Sequence, residues 1–160
     1  VGMKDWIKLV ICITIPLAVG SIAGLFTRPE IAGWYQTIEK PSWQPPNWVF
    51  GPVWTVLYII MGVSLYLVWK SNVQAKQKRK AVVLWIIQLV FNFFWSYIFF
   101  RQHQIDWALG EIIVLWLFIL LTIFSFARIN KLAAWLLVPY ISWVTFASIL
   151  TYTIYQLNQS

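Results

Sequence analysis

Trp43-Gln44-Pro45-Pro46-Asn47-Trp48-Val49-Phe50-Gly51-Pro52-Val53-Trp54 is the stretch that decides how this chain folds, because it joins a polar loop to an apolar run. Pro45 and Pro46 cannot lie inside a helix, since proline lacks the backbone N–H and its ring collides with the preceding turn. Pro52 follows within the first turns of the apolar run, where a missing N–H costs little. We therefore expect a helix to begin near Asn47.

Several aromatic side chains point from this stretch toward one place. Trp54 and Tyr58 are four residues apart and share one face of the expected helix, while the prolines keep residues 41–46 stiff. This arrangement is typical of an aromatic belt at a membrane surface, and equally of the wall of a ligand pocket. The residues alone leave both interpretations open.

The composition is that of an integral membrane protein. The 160 residues are 61% hydrophobic and 11% charged, whereas a soluble domain carries about 25% charged residues. Twelve Trp, seven Tyr and eleven Phe are too many for a water-soluble core of this length. The net charge of +7 lies in short connections between apolar runs, which is a topology pattern and indicates no nucleic-acid partner.

Five apolar runs are each about 20 residues long, enough to cross a hydrocarbon core of about 30 Å. Helix is preferred because an open strand would leave backbone groups unpaired in lipid. We predict one all-α domain over residues 1–160, an integral membrane bundle of five transmembrane helices. The helices are expected at about 6–26, 48–69, 81–100, 107–127 and 133–155.

Basic residues in the connections predict the orientation, because cytoplasmic loops are enriched in Lys and Arg. A cytoplasmic N-terminus puts the loop 27–46 and the C-terminus outside, and leaves most of the basic residues inside. The inner residues are Lys4, Lys8, Lys70, Lys76, Lys78, Arg79, Lys80, Arg128 and Lys131, and the outer residues are Arg28, Lys40 and Arg101.

Gly20 and Gly24 form a small-xxx-small pattern in the first run, which lets helices approach closely. The pattern fits packing within one bundle, and it also fits the interface of a homodimer. Lys4 and Lys8, followed by an apolar stretch, resemble the start of a signal peptide, but the apolar run continues past Gly20 to Phe26.

Polar groups inside the apolar runs are candidates for function, because they are costly in a membrane. Gln88, Asn92 and Ser96 recur every four residues and share one face, and Trp95 lies close to it. These groups could form hydrogen bonds between helices, or they could be polar contacts inside an apolar pocket. Glu111 is the only acidic residue within a run, expected near the interface, where it is either solvated or has a proton or substrate role.

The fifth run combines a helix breaker, an aromatic residue and a small residue. Pro139, Trp143 and Ala147 are spaced four apart. Pro139 should kink the helix and free a carbonyl, and Ala147 leaves space beside Trp143. This pattern is typical of a cavity border, and ordinary packing is the alternative.

No group of residues predicts a permanently bound metal or haem. His103 is the only histidine and lies in a connection, and Cys12 is the only cysteine. The chain also lacks a Ser/His/Asp set, a phosphate-binding loop and paired carboxylates, so we expect neither a hydrolase nor a kinase.

Motifs along nearly the whole chain resemble the TspO/MBR family of tryptophan-rich sensory proteins and translocator proteins. The opening stretch reads W-x-P-P-x-x-x-F-G-P-V-W, and the loop before it contains W-Y and K-P-S-W. The other matches are Asn92 with Trp95, Trp107-Ala108-Leu109, Leu136-Leu137-Val138-Pro139-Tyr140, Trp143, Phe146-Ala147 and Tyr152.

The resemblance implies a five-helix bundle with a ligand cavity under the first loop, and porphyrins or related hydrophobic molecules as ligands. Trp54 and Trp143 match family positions implicated in light- and oxygen-dependent porphyrin degradation, so they are the candidate catalytic residues. Porphyrin would be the ligand or the substrate, with no permanently bound cofactor. Carried over by position, the ligand-binding residues are Tyr35, Trp54, Tyr58, Asn92, Trp95, Trp143 and Ala147.

The predicted function is a membrane receptor or sensor for porphyrins. One alternative is a porphyrin-degrading enzyme in which oxidisable Trp side chains exchange electrons with the excited porphyrin. Another is a porphyrin or sterol transporter, although the family's sterol motif L/V-x-Y-x-x-x-R/K runs through Leu150 and Tyr152 and ends here in Gln156, which carries no charge. That departure favours a bacterial cell membrane as the location.

Overall fold

The computed structural model describes residues 4–159, which fold into helices joined by short connections. A 3₁₀ turn, Trp34–Gln36, follows the first helix, and a π-helical turn, Tyr97–Arg101, continues the third. The α-helices are α1 Asp5–Ala32, α2 Asn47–Trp69, α3 Ala75–Ser96, α4 Ile105–Ala127, α5 Lys131–Leu136 and α6 Val138–Leu157.

Five spans within residues 4–159 are long and apolar enough to cross a membrane, as predicted. α1, α2 and α4 each form one span, α3 forms the third span together with the π-helical turn, and α5 and α6 together form the fifth. The prediction of an all-helical membrane protein with five transmembrane helices is confirmed.

The five spans pack in a closed ring. α1 packs against α2, α2 against α5, and α5 and α6 against α4; α4 then packs against α3, and the end of α3 returns to α1. Met61, Trp85 and Tyr140 are fully buried at the centre, whereas Leu25 and Phe124 are exposed on the outside, where lipid would surround them. The ring therefore encloses its own core and leaves an apolar outer surface.

α1 is longer than the sequence indicated, because it continues through polar residues to Ala32 instead of ending at Phe26. A helix that has left the hydrocarbon can carry polar side chains, and water can replace the hydrogen bond that Pro29 removes. The Pro29 carbonyl accepts a hydrogen bond from Gly33 N–H at 3.0 Å, which closes the helix end. The first loop is therefore shorter than 27–46 and covers residues 33–46.

α3 begins at Ala75, before the predicted start at residue 81. The basic residues Lys76–Lys80 form its first turns because Ala, Lys, Gln and Arg are strong helix formers. Charge identified this segment as lying outside the hydrocarbon, but charge alone does not distinguish a loop from a solvated helix end.

The fifth span is broken into two helices before Pro139, where the sequence predicted a kink that frees a carbonyl. Leu137 lies in a turn between α5 and α6, and its N–H donates to the Ala134 carbonyl at 3.1 Å. The Ala133 carbonyl instead accepts a hydrogen bond from the Ser64 hydroxyl of α2 at 2.7 Å. A freed backbone carbonyl is thus paired by a neighbouring helix, which is how a break is tolerated in a membrane.

α1 and α2 meet backbone to backbone at Gly62. A Cβ at this position would lie 2.5 Å from Ile13 Cα and 2.6 Å from the Cys12 carbonyl oxygen, so a larger residue has no room. Gly20 is also used inside the bundle, because the Tyr58 ring of α2 lies against it, whereas the side chain over Gly24 is that of Arg28 in the same helix. The structure favours the packing alternative for Gly20, and a homodimer stays a prediction.

Candidate functional site

A cavity of about 380 Å³ lies inside the ring, between α1, α2, the π-helical turn and α6, beneath the first loop. Its volume lies within the range of about 300–1,000 Å³ that is usual for ligand sites. Aromatic rings dominate the wall, among them Tyr35, Phe50, Trp54, Tyr58, Trp95 and Trp143.

The first loop closes one end of the cavity through Tyr35, which is 2% exposed. The Tyr35 hydroxyl donates to Gln44 Oε1 at 3.3 Å, and the Lys40 ammonium donates to the Tyr35 carbonyl at 2.5 Å. Burial raises the pKa of Tyr35 to about 12, so its hydroxyl stays protonated and remains a donor. The hydrogen bonds to Gln44 and Lys40 therefore hold Tyr35 over the cavity.

The same loop is attached to the C-terminal end of α6. Asn158 Nδ2 donates to the Glu39 carbonyl at 2.8 Å, and Glu39 N–H donates to Asn158 Oδ1 at 3.0 Å. This pair of hydrogen bonds joins two segments that are distant in sequence. It holds the loop across the bundle, above the cavity.

Trp54 and Trp143 face each other across the cavity from α2 and α6. Their ring centroids are 6.5 Å apart with an interplanar angle of 88°, and Trp54 also stacks on Tyr58 at 5.7 Å. Ala147, one turn after Trp143, is a small lining residue and is 7% exposed. The break before Pro139 starts a new helix, α6, which carries Trp143 and Ala147 to the cavity.

The π-helical turn at the end of α3 brings two rings to the cavity that the sequence did not indicate. Phe99 and Phe100 both line the wall, and Phe99 stacks on Trp95 at 5.4 Å. A π-helical turn has no clear sequence signal, so neither residue could be assigned to this face from four-residue spacing.

Asn92 lies behind the cavity wall and does not line it. Its side-chain oxygen accepts from the Tyr58 hydroxyl at 2.9 Å, and its Nδ2 donates to the Tyr140 hydroxyl at 2.8 Å. The Tyr140 hydroxyl donates in turn to Gln88 Oε1 at 2.6 Å. Both amides are therefore committed to hydrogen bonds between α2, α3 and α6, which is the interhelical alternative for these residues.

Six of the seven residues predicted to bind ligand line the cavity, and Asn92 is the exception. Asn92 reaches the cavity only through Tyr58, whose hydroxyl it holds in place. Ser96, on the same face of α3, does line the cavity. Four-residue spacing in the sequence could show that these residues share one face of α3. It could not show which of them reach the cavity and which lie behind another side chain.

Two other predicted candidates lie outside the cavity. The carboxylate oxygens of Glu111 are buried and have no hydrogen-bond partner among residues 4–159. The expectation that this side chain is solvated is therefore wrong. His103 stacks on Trp34 at 4.2 Å and lies 3.1 Å from a carboxylate oxygen of Glu30, so it joins the α3–α4 connection to the end of α1. The described residues contain no cluster of His, Cys, Asp or Glu that could hold a metal ion.

The exposed part of the cavity wall lies on one side. Its exposed lining residues lie on α1 and at the start of α2, whereas none of its lining residues from α3, the π-helical turn or α6 is exposed. The opening is therefore a lateral gap between α1 and α2. The exposed lining residues are Ser21, Arg28, Asn47, Trp48, Gly51 and Thr55.

Comparison with known proteins agrees with the fold and with the motifs in the loop and helices. Residues 12–157 match the TspO/MBR family. The chain is 47% identical over 155 residues to the tryptophan-rich protein TspO of Chlorobaculum tepidum, covering 97% of this chain and 98% of that protein.

Two further relatives extend the similarity to animals and to a second bacterium. The translocator protein of Homo sapiens is 38% identical over 149 residues, covering 91% of this chain and 87% of that protein. The tryptophan-rich sensory protein of Cereibacter sphaeroides is 33% identical over 156 residues, covering 96% and 93%. The similarity therefore includes all five spans.

Proposed function

Since the chain belongs to the TspO/MBR family, we propose that it is a membrane receptor or sensor that binds a porphyrin, or a related flat hydrophobic molecule, in the cavity beneath the first loop. The ligand is not a permanently bound cofactor in this proposal. The names of the relatives describe sensing and translocation, and the proposal assigns the sensing role to this chain.

The observation that carries the proposal is the composition of the cavity wall. Trp54, Trp95 and Trp143 come from three different helices and surround one space of about 380 Å³. A flat conjugated ligand can stack on such rings and remove a large apolar area from water. The lateral gap between α1 and α2 gives a hydrophobic ligand a path from the lipid.

Replacing Trp143 with Ala should weaken porphyrin binding by about tenfold, because an aromatic contact contributes about 0.5–1.5 kcal/mol beyond the area it buries. Titration of the purified protein with protoporphyrin IX, followed by quenching of Trp fluorescence, measures the affinity. Trp135→Ala is the matched control, since Trp135 is 69% exposed on the outer surface and should not affect binding. Equal affinity in both variants would place the ligand elsewhere.

Light-driven porphyrin degradation is a second candidate function, favoured by the contact between Trp54, Trp143 and Tyr58. These three oxidisable rings form a row with centroid separations of 6.5 and 5.7 Å. An excited porphyrin beside Trp54 could exchange an electron with this row, with molecular oxygen as the oxidant.

A Trp54→Phe variant tests the redox role, because Phe keeps much of the shape but is far harder to oxidise. We expect it to retain most of the porphyrin affinity and to lose most of the light-driven decrease in porphyrin absorbance. Trp135→Phe should keep both properties, since Trp135 is 69% exposed on the outer surface and does not line the cavity. A wild-type rate of porphyrin loss in Trp54→Phe would leave binding as the only supported function.

Of the sterol-motif positions, Leu150 lines the cavity, whereas Tyr152 and Gln156 do not. Tyr152 is 49% exposed on the outer surface of α6, and Gln156 Nε2 donates to its hydroxyl at 2.7 Å. A sterol bound at these residues would lie on the outside of the bundle, away from the aromatic cavity. Transport of a sterol through the cavity is therefore not part of the proposal.

We further propose that the protein lies in a bacterial cell membrane with its N-terminus in the cytoplasm and its C-terminus outside, since most Lys and Arg residues lie on the side of the N-terminus. A cysteine introduced at Gln77 should react with an impermeant thiol reagent only from the cytoplasmic side. A cysteine introduced at Thr37 should react only from the outside. Cys12 is buried and should contribute no background, and the reverse labelling pattern would overturn the orientation.

A further inference from the structure

The cavity wall contains one kind of charge. Among residues 4–159, Arg28 is the only charged residue that lines it, and no Asp or Glu of this part of the chain does. The other lining residues are apolar, aromatic or neutral polar.

Arg28 is oriented toward the cavity by its position in α1. Side chains in a helix lean toward its N-terminus, and the Arg28 guanidinium accordingly lies over Gly24, with Nη2 3.1 Å from where a Cβ would be. Gly24 provides the room for this arrangement. His103 and Glu30 are the only basic and acidic side chains within 4.0 Å of each other among residues 4–159, so no carboxylate of the described chain neutralises Arg28.

Three more groups in the cavity wall are hydrogen-bond donors without partners in the described part of the chain. They are the Thr27 hydroxyl and the indole N–H groups of Trp95 and Trp143, all buried. An indole N–H can only donate, never accept. A buried donor without a partner is costly, but these three atoms are covered by neighbouring groups and do not face the open space of the cavity. The charge preference of the site therefore rests on Arg28.

We propose that the cavity selects an amphiphilic acid, in which the flat apolar body lies among the Trp rings and a carboxylate pairs with Arg28 at the lateral opening. The planar guanidinium can hold a carboxylate through two parallel hydrogen bonds. This inference rests on the proposed function, which places a flat hydrophobic ligand in the cavity. It adds that this ligand carries a carboxylate, which pairs with Arg28.

The test compares an acid with its ester in two proteins. Protoporphyrin IX carries free carboxylic acids, and its dimethyl ester has the same ring without charge. Affinities of both are measured for the wild type and for Arg28→Gln in the same detergent, so that partition into micelles cancels within each ligand.

We expect Arg28→Gln to weaken binding of the acid by about fivefold, the upper range for a partly exposed ion pair, and to leave the ester unchanged. Arg28→Lys should weaken the acid less, since the charge remains but the planar fork is lost. Arg101→Gln is the control, because Arg101 is also exposed but does not line the cavity. Arg28 is exposed, so we expect its variants to fold, and the melting temperature of each is measured alongside.

A second pair of probes separates this inference from the porphyrin proposal. The same cycle is run with 1-pyrenebutyric acid and its methyl ester, by energy transfer from Trp. If neither porphyrin binds the wild type but Arg28 still favours pyrenebutyrate over its ester, the porphyrin proposal fails and the acid site stands.

The inference is overturned if Arg28→Gln affects acid and ester equally, or if Arg101→Gln reproduces its effect. It is also overturned if the wild type binds neither acid. If Arg28→Gln does not fold, the test uses Arg28→Lys. A ratio of acid to ester affinity in Arg28→Lys equal to that of the wild type would then overturn the inference.

Discussion

A Gly62→Leu variant should fail to hold the bundle together. At Gly62 the backbones of α1 and α2 touch, and even a Cβ would lie 2.5 Å from Ile13 Cα. The clash is with backbone, which cannot rotate away as a flexible side chain could. α1 must therefore move away from α2, and this opens the side of the ring that borders the cavity.

We expect Gly62→Leu to lower the free energy of unfolding by about 3 kcal/mol or more, at the upper end of overpacking costs. Gly110→Leu is the control, because a Cβ at Gly110 meets nothing within 4 Å. Unfolding in mixed micelles with increasing SDS, followed by circular dichroism, gives both values. Equal stability of the two variants would show that α1 and α2 do not meet at this glycine.

The five spans could be predicted from the sequence because hydrocarbon thickness sets the length of an apolar run. The ends of the helices could not, because outside the hydrocarbon a polar residue is compatible with both helix and loop. This is why α1 continues past Phe26 to Ala32 and α3 begins already at Ala75. The break at Pro139 was predictable, since proline removes a specific backbone hydrogen bond.

The candidate site could be predicted in part. The aromatic residues of the wall follow from helix spacing and from the resemblance, and six of the seven predicted residues do line one cavity. Asn92 shares a helix face with the wall residues but lies behind Tyr58. Residue spacing alone does not show that another side chain separates it from the cavity. Phe99 and Phe100 depend on a π-helical turn, and Arg28 depends on the unexpected length of α1.

A Gly51→Phe variant should strongly weaken ligand binding without unfolding the protein. Gly51 lies at the lateral opening, and a Cβ there meets nothing within 4 Å, so a larger side chain has open space to occupy. None of the described glycines has a positive φ, so the backbone at Gly51 tolerates a larger residue. Replacing glycine within a helix should not reduce helix stability.

The most direct test of the cavity as the binding site is the affinity of Gly51→Phe for protoporphyrin IX compared with that of Gly110→Phe. Both glycines are exposed helical residues with open space around them, but only Gly51 lines the cavity. Fluorescence titration should give the wild-type affinity for Gly110→Phe and at least about a hundredfold weaker binding for Gly51→Phe, a loss of about 2.7 kcal/mol. Equal, wild-type affinity in both variants would contradict the assignment of this cavity as the ligand site.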